Sequence, residues 1–225
     1  MNAASPRDAL PAEERLKITE IFRSLQGEGD AVGWPTVFVR LTGCPLRCVY
    51  CDTAYAFYGG EWMGFDAILE QVADAGVEHV CVTGGEPLAQ PNCLRLLARL
   101  CDAGYRVSLE TSGAMEVAEV DPRVTRVVDV KTPGSGEAER NRWDQLRLLR
   151  PDEQIKFVIC DRADFDWTAA QVRERKLDGI CQVLISPSAD QLPATTLADW
   201  LLESGLPARF QVQLHKLLWG DERGR

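Results

Sequence analysis

The sequence predicts an α/β protein whose single domain is an open, partial parallel β/α barrel of about six strands. Short apolar, β-branched runs alternate with amphipathic segments of helical length, which is the pattern of repeated βαβ units. Glycine, cysteine and charged residues come directly after the predicted strands, where parallel α/β folds place their binding sites. About six strands are too few to close an eight-stranded barrel, so we expect an open one.

The first predicted strands flank the loop with the most unusual composition. Ile18 to Phe22 predicts a short strand before a glycine-containing turn at residues 25–29. Val37 to Leu41 is a continuous apolar run that predicts a buried strand ending at a cysteine-rich loop. Apolar residues on one face of Phe65 to Gly76 predict the first amphipathic helix.

The rest of the chain repeats this alternation. Further strands are predicted over Val80 to Thr83, Arg106 to Glu110, Arg126 to Val130, Gln154 to Ile159 and Gln182 to Ile185. Further helices are predicted over Asn92 to Ala103, Trp143 to Leu149, Phe165 to Arg175 and Thr196 to Glu203, the last capped by Thr195 or Thr196. Phe210 to Leu214 ends the pattern near His215. We therefore expect one domain over residues 16–225, after a flexible leader over residues 1–15.

Composition and charge narrow the partners and the compartment. The formal net charge of −9 argues against nucleic acid as the main partner, because polyanions need basic surfaces. A local basic patch could be formed by Arg140, Arg142, Arg147 and Arg150. A solvated helix face is the other explanation for these four arginines. The sequence contains no run of about 18 apolar residues, so we expect no membrane span, and no secretory signal is visible. Thiols clustered for metal binding suit a reducing compartment, so we expect a cytoplasmic protein.

Three of the eight cysteines lie within residues 44–51, at the spacing C-x3-C-x2-C. Thiolates are soft ligands that suit zinc, copper and iron–sulfur centres. A closed zinc site or a fully ligated cluster takes four protein ligands, whereas three cysteines on a 4Fe–4S cluster leave one iron open to a small molecule. The alternative is a structural zinc knuckle that borrows one of Cys81, Cys93, Cys101, Cys160 or Cys181.

The aromatic residue before the third cysteine, Tyr50, completes a motif that resembles the signature of radical S-adenosylmethionine (SAM) enzymes. In that superfamily the open iron chelates the amino and carboxylate groups of SAM, and reduction cleaves SAM to a 5′-deoxyadenosyl radical. The resemblance implies that Cys44, Cys48 and Cys51 hold a 4Fe–4S cluster and that the barrel is of the radical SAM type.

Further stretches resemble the 7-carboxy-7-deazaguanine synthase family within that superfamily. They lie within about residues 17–221, at residues 21–29, 38–44, 51–53, 83–87, 109–113 and 213–216. The resemblance implies a lyase that converts 6-carboxy-5,6,7,8-tetrahydropterin to 7-carboxy-7-deazaguanine with loss of ammonia, a step of queuosine biosynthesis for tRNA modification. Hydrogen abstraction from C6 would start the ring contraction, SAM would be regenerated, and Mg²⁺ would assist.

The same resemblance assigns binding residues by position. SAM would contact Tyr50, Gly85, Glu86, Asp129, Val130, Lys131, Ser186, Pro187 and Ser188. The pterin would contact Leu25, Gln26, Gly27, Arg40, Thr83, His215 and Asp221. The stretch at residues 129–131 lacks the Ser-Pro-Lys of some relatives, and Asp221 is expected to substitute for a terminal carboxylate that other relatives place near it.

Physical chemistry supports several of these assignments. Gly84 and Gly85 permit close approach of the backbone, and the Glu86 carboxylate can accept hydrogen bonds from the ammonium group of SAM. Arg40 can pair bidentately with the carboxylate of the pterin. The Thr53 hydroxyl is a hard oxygen suited to Mg²⁺. Glu110 ends a predicted buried strand and is the candidate catalytic residue, which would position substrate or move a proton.

Two other functions fit parts of the sequence. A glycyl-radical-enzyme activating protein would act on a partner protein and would favour a large exposed docking face. A non-catalytic module would carry zinc on the cysteines. For the main hypothesis we expect a reducing partner such as flavodoxin or ferredoxin, and a homodimer. Trp200, Leu201 and Leu202 are either the dimer surface or part of the core.

Overall fold

A computed structural model describes residues 14–189, 191–220 and 222–224, and in this part of the chain nine strands form one sheet. The strands are β1 (Arg15–Leu25), β2 (Pro35–Leu41), β3 (Glu61–Gly64), β4 (His79–Gly84), β5 (Arg106–Ser112), β6 (Thr125–Val130), β7 (Gln154–Ile159), β8 (Gln182–Pro187) and β9 (Arg209–Phe210). Their spatial order is β3-β1-β2-β4-β5-β6-β7-β8-β9. Neighbours from β2 to β9 are parallel, and β1 is antiparallel to both β2 and β3.

The prediction of an open partial barrel is confirmed. The six strands predicted between Val37 and Ile185 are β2 and β4 to β8, which are adjacent in the parallel part of the sheet, and the strand predicted over Ile18 to Phe22 lies within β1. The sequence missed β3 and β9, because strands of four and two residues carry too little alternating pattern to be recognised. In the described residues β3 and β9 are the two edges of the sheet, and they do not pair with each other.

The strands alternate between an outer apolar face and an inner polar face. On β7, Ile155, Phe157 and Ile159 are buried in the core, whereas Lys156 points to the inner side and lines a cavity. Register aligns the carboxyl ends of neighbouring strands, so that Arg40 lies beside Thr83 and Ser112 beside Asp129. Residues far apart in sequence therefore meet at one edge of the sheet.

The described residues contain six α-helices, the last of which lies at the open side of the barrel beside the cavity. They are α1 (Phe65–Asp74), α2 (Cys93–Asp102), α3 (Trp143–Leu146), α4 (Arg162–Arg175), α5 (Ala194–Ser204) and α6 (Leu214–Trp219). The buried apolar side chains of α1, α2, α4 and α5 join those of the strands in one core. α4 begins three residues before the predicted start because the Asp161 side chain accepts the backbone N–H of Asp164 at 2.9 Å and so caps the helix.

Other details of the chain differ from the prediction. Helix α5 begins at Ala194, after Pro193, and no side chain caps it, so the proposed Thr195 or Thr196 cap was wrong. Arg15, taken as the end of the leader, begins β1, and residues 1–13 of that leader lie outside the described residues. No helix in the described ranges has the length and apolar character needed to cross a membrane.

The open side of the barrel is covered by two segments that lie far apart in sequence. The backbone N–H of Gly29 donates to Gln211 Oε1 at 3.0 Å, and the N–H of Leu214 donates to the carbonyl oxygen of Gly27 at 3.1 Å. Arg209 pairs with Asp30 at 2.9 Å. These contacts fix the turn after β1 against the segment between β9 and α6.

Candidate active site

A cavity of about 700 Å³ opens at the carboxyl ends of the parallel strands. Every residue that the sequence assigns to the site lines this cavity, except Glu86, Val130 and Asp221. Asp221 lies outside the described residues. The predicted SAM, cluster and pterin residues therefore share one cavity.

The three cysteines of the loop after β2 line one wall of the cavity as free, half-buried thiols. The start of this loop is fixed because the N–H of Gly43 donates to Ala56 O, and its carbonyl oxygen accepts the N–H of Glu86, both at 2.8 Å. Burial raises the pKa of the Cys48 thiol to about 11, although the ammonium group of Lys131 acts in the opposite direction. A cation beside the loop favours the thiolate form that metal binding needs.

Gly85 lies directly behind the first cysteine. A Cβ at this position would be 2.8 Å from the Cβ of Cys44 and would overlap the carbonyl oxygen of Gly43. Only glycine lets the loop after β4 approach the cysteine loop this closely. The glycine predicted to allow close approach therefore does so, and the chain it approaches is the cysteine loop itself.

Glu86 does not line the cavity, and its carboxylate is fully buried. It accepts hydrogen bonds from Thr111 Oγ1 at 2.7 Å, and from the N–H and the hydroxyl of Ser112 at 2.7 and 2.6 Å. Burial raises the pKa of Glu86, and these hydrogen bonds oppose that effect. The side chain thus ties the loop after β4 to the end of β5. This arrangement does not favour a direct contact between Glu86 and SAM, which stays a prediction.

The stretch at residues 129–131 divides between the core and the cavity. The side chain of Val130 is buried in the core, so only its backbone is left for the predicted SAM contact. Asp129 and Lys131 point into the cavity, where their charged groups pair at 3.2 Å. The Lys131 ammonium also lies 5.9 Å from the ring centroid of Tyr50. Strand alternation separates these roles, because successive side chains point to opposite faces.

A hydrogen-bonded chain links the turn after β1 to two strands. The amide oxygen of Gln26 accepts the N–H groups of Gly27 and Glu28 at 2.8 and 3.2 Å, which holds the turn in shape. Its amide nitrogen donates to Glu110 Oε1 at 3.3 Å, and Thr83 Oγ1 donates to Glu110 Oε2 at 3.3 Å. Glu110 is therefore oriented towards the cavity by two neutral donors.

Arg40 lines the cavity with a partner that the sequence analysis missed. Its Nε donates to Glu20 Oε1 at 2.7 Å, and the Tyr55 hydroxyl donates to the same oxygen at 2.8 Å. The Arg40 guanidinium also lies 5.8 Å from the ring centroid of Phe22. Since Nε is engaged by Glu20, the Nη groups are the part of Arg40 that suits a carboxylate of a ligand.

His215 belongs to the first turn of α6. Its Nδ1 lies 2.6 Å from the position that a Cβ of Gly27 would occupy, so the missing side chain of Gly27 leaves room for the imidazole. Burial lowers the pKa of His215. Thr53 lines the cavity beside the third cysteine, with its Oγ1 3.7 Å from Cys51 Sγ.

Two buried charged residues of the cavity were not selected from the sequence. Glu28 lies inside the motif at residues 25–29, and Lys156 is the only charged residue of β7. Their side chains form an ion pair at 2.5 Å and are 8% and 10% exposed. A lysine inside an otherwise apolar buried strand was the available signal for Lys156, because lysine is rarely buried without a partner.

The chain resembles known proteins over most of its length. A model of the radical SAM superfamily matches residues 38–124. The 7-carboxy-7-deazaguanine synthase of Chlorobaculum tepidum is 42% identical over 219 residues, which covers 96% of this chain and 100% of the relative. The enzyme of that name from Koribacter versatilis is 42% identical over 224 residues, covering 92% and 98%. The chain belongs to the 7-carboxy-7-deazaguanine synthase family.

A solved structure agrees with this family in its fold. The crystal structure of QueE from Escherichia coli has a TM-score of 0.74 and 24% sequence identity, and the match covers 95% of this chain and 100% of that chain. Streptococcus suis SuiB bound to its precursor peptide SuiA matches 76% of this chain and 46% of that chain, with a TM-score of 0.55 and 16% identity. At these identities both likenesses concern the fold alone.

The arrangement of the cysteines is consistent with this family. Only the three cysteines of the loop line the cavity, and the other five cysteines lie elsewhere in the described residues. Within those residues no three His, Cys, Asp or Glu side chains converge as a ready-made metal site. A set of three thiols beside a large cavity fits a cluster with one open iron. Neither the zinc module nor the glycyl-radical activator fits this family.

Proposed function

We propose that the protein is a radical SAM lyase that converts 6-carboxy-5,6,7,8-tetrahydropterin to 7-carboxy-7-deazaguanine and ammonia. The observation that carries this proposal is the single cavity that joins the three cysteines to the side chains of Gln26, Arg40 and Glu110. The relatives named 7-carboxy-7-deazaguanine synthase align over more than nine-tenths of the chain, which supports the same reaction. Substrate and products contain the same atoms, so the reaction needs no net oxidant.

The cysteine wall is the proposed cofactor half of the cavity. Cys44, Cys48 and Cys51 would hold a 4Fe–4S cluster as thiolates. With SAM bound, such a cluster would supply a 5′-deoxyadenosyl radical on reduction. The Lys131 ammonium and Asp129 carboxylate face the same region, where they suit the charged and hydrogen-bonding groups of SAM. Ser186, Pro187 and Ser188 continue that wall at the end of β8.

The opposite wall is the proposed substrate half. Arg40 offers its Nη groups to the carboxylate of the pterin. Glu110 is held by Gln26 and Thr83, so its carboxylate keeps a fixed direction in which to position a substrate N–H or to accept a proton. His215 is held neutral by burial, which lowers its pKa, and an imidazole in that form can both donate and accept a hydrogen bond.

Several finer features belong to the same proposal. The Thr53 hydroxyl would be the protein ligand of a Mg²⁺ ion that keeps water or substrate oxygens as its other ligands. A flavodoxin or ferredoxin would supply the electron, and an oxygen-sensitive cluster suits the cytoplasm. Trp200 and Leu201 on α5 pack against the core, whereas Leu202 is 81% exposed. Of these three residues, Leu202 is therefore the one available for the interface of a homodimer. The working domain would be residues 16–225.

The test is an anaerobic assay with matched cysteine variants. Reconstituted protein is incubated with SAM, dithionite, Mg²⁺ and 6-carboxytetrahydropterin, and products are followed by mass spectrometry. We expect 7-carboxy-7-deazaguanine from the wild type and from Cys101→Ala, whose thiol lies on α2 outside the cavity, but not from Cys48→Ala. Formation of 5′-deoxyadenosine without the deazaguanine would keep the radical chemistry and reject the substrate. Omitting Mg²⁺, and separately replacing Thr53 with alanine, tests the metal.

A further inference from the structure

Four charged side chains of alternating sign line the inner wall between the two halves of the cavity. Lys156 pairs with Glu28 at 2.5 Å and with Asp129 at 3.6 Å, and Asp129 pairs in turn with Lys131 at 3.2 Å. The most exposed of these side chains, Asp129, is 20% exposed. Buried charges are retained only when they are paired, so the four groups are mutually dependent.

Without Lys156, Glu28 would lose its ion-pair partner, whereas Asp129 would lose one of two. Asp129 also pairs with Lys131 and would keep a cation. Among the ion pairs of the described residues, Glu28 has Lys156 as its partner. Lys156 occupies Glu28 Oε2, whereas Glu28 Oε1 is buried and has no hydrogen-bond partner in the described part of the chain. A buried acceptor of this kind normally finds a donor.

We propose that Lys156 is a positioning residue for the substrate: it holds Glu28 as a carboxylate with one oxygen free to accept the adjacent N–H groups of a 2-amino-4-oxopyrimidine ring. The inference rests on the proposed pterin substrate, whose pyrimidine ring carries N–H donors at N3 and at the 2-amino group. A carboxylate accepts such donors with both lone-pair directions available, and a protonated carboxyl group accepts them less well. Lys156 thereby acts on the substrate through Glu28.

The groups around the pair predict how pH should act on a Lys156 variant. Four titratable side chains surround Glu28. They are Lys156 on β7, Asp129 on β6, Glu110 on β5 and His215 on α6. Burial raises the pKa of Glu28, the ammonium group of Lys156 opposes that rise, and the two other carboxylates add to it. Removing the lysine therefore favours the protonated form at neutral pH. Raising the pH should then restore the carboxylate and, with it, the interaction with the substrate.

The experiment uses reconstituted, SAM-loaded enzyme under anaerobic conditions and 6-carboxypterin, a redox-stable aromatic analogue, as the probe. The dissociation constants of 6-carboxypterin and of SAM are measured from pH 6 to pH 9 for wild type, Lys156→Met, Lys156→Arg and Glu28→Gln. For Lys156→Met at pH 7 we expect affinity for the pterin to fall about 10- to 100-fold, the range for hydrogen bonds to a charged group. SAM affinity should change less than about threefold, because Asp129 keeps Lys131.

Two further results separate positioning from a general structural role. The ratio of the Lys156→Met and wild-type dissociation constants should shrink as pH rises, and Lys156→Arg should restore most of the affinity by keeping a cation. If Lys156→Met does not fold, Glu28→Gln/Lys156→Met, which removes both charges, provides the measurement and should still bind the pterin weakly.

Three outcomes would overturn the proposal. In the first, Lys156→Met or the double variant binds the pterin as tightly as the wild type does. In the second, the ratio of the Lys156→Met and wild-type dissociation constants does not change with pH. In the third, Lys156→Met loses as much affinity for SAM as for the pterin. Product formation by the wild type distinguishes the two levels of inference. A wild type that makes the deazaguanine while a Lys156 variant behaves normally rejects only the role of Lys156. A wild type that neither binds the pterin nor makes the product rejects both.

Discussion

Replacing Gly27 with alanine should move the imidazole of His215 out of the cavity. The new Cβ would lie 2.6 Å from His215 Nδ1, whereas ordinary contact begins at 3.4 Å, so the ring has to shift by at least about 0.8 Å. The neighbouring backbone nitrogens of Leu214 and His215 would be 3.5 Å away, which is ordinary contact. We therefore expect the side chain to turn while the backbone of α6 stays in place.

This geometry separates the effect on activity from the effect on stability. Overpacking at a well-packed position costs about 1–3 kcal/mol, and a ring that can rotate places Gly27→Ala near the lower value. Displacing a group of the site by about 1 Å can lower the rate about 100-fold. We expect kcat/KM for the pterin to fall about 10- to 100-fold, while the free energy of unfolding falls by about 1 kcal/mol.

The assay compares steady-state product formation and denaturant unfolding for four variants, which are Gly27→Ala, Gly179→Ala, His215→Ala and Gly27→Ala/His215→Ala. Gly179→Ala is the matched control, because a Cβ there meets no atom within 4 Å and the residue lies on the surface. Gly27→Ala/His215→Ala should be no less active than His215→Ala, since the clash is removed with the imidazole. Unchanged activity of Gly27→Ala, or additive losses in the double variant, would refute the reasoning.

Three further predictions follow from other contacts. Gly85→Ala should lower the iron content after reconstitution, because its Cβ would displace Cys44; iron content equal to that of Gly179→Ala would contradict this. Arg126→Met should lower the free energy of unfolding by about 3 kcal/mol, the lower end for breaking a buried ion pair, since the fully buried Glu153 loses its closest cation but keeps Arg150 at 3.3 Å, whereas Arg162→Met in an exposed pair should cost about 0.5 kcal/mol or less; equal losses in denaturant would reject the distinction. Hydrogen bonds from Arg123 lower the pKa of Asp121 from 3.8 to about 2, so the stability this carboxylate adds is present above pH 4 and lost as pH falls towards 2. Asp121→Asn should therefore lower Tm at pH 6 but not at pH 2, and the same difference at both pH values would show that the charge is not involved.

The parallel strands and the position of the site could be predicted because they depend on local pattern. Apolar runs such as Val37 to Leu41 mark buried strands whatever their partners are. Parallel strands end on one edge, so residues near those ends, such as Arg40 and Glu110, can be expected to meet without any knowledge of the exact register. The cysteine spacing is likewise local.

Contacts between distant residues could not be predicted in this way. Glu28 and Lys156 are 128 positions apart, and neither local pattern indicates that their charges meet. The composition of the loop after β4 shows that Glu86 carries acceptors, but not that Thr111 and Ser112 occupy them. These pairings depend on the tertiary structure, which brings β5 and β7 to the loops after β1 and β4.

The contacts that cover the open side of the barrel set an order for assembly during synthesis. Gly29 cannot form its hydrogen bond until Gln211, 182 positions later, has been synthesised, and Asp30 cannot form its ion pair until Arg209, 179 positions later, has been synthesised. At roughly 5–20 residues per second, a ribosome needs roughly 10–40 seconds to make the missing partners. The thiols at residues 44–51 emerge early in that interval, before the segment that confines the neighbouring turn exists. The nascent chain therefore leaves its cysteine loop accessible for roughly 10–40 seconds before the cavity beside it is complete.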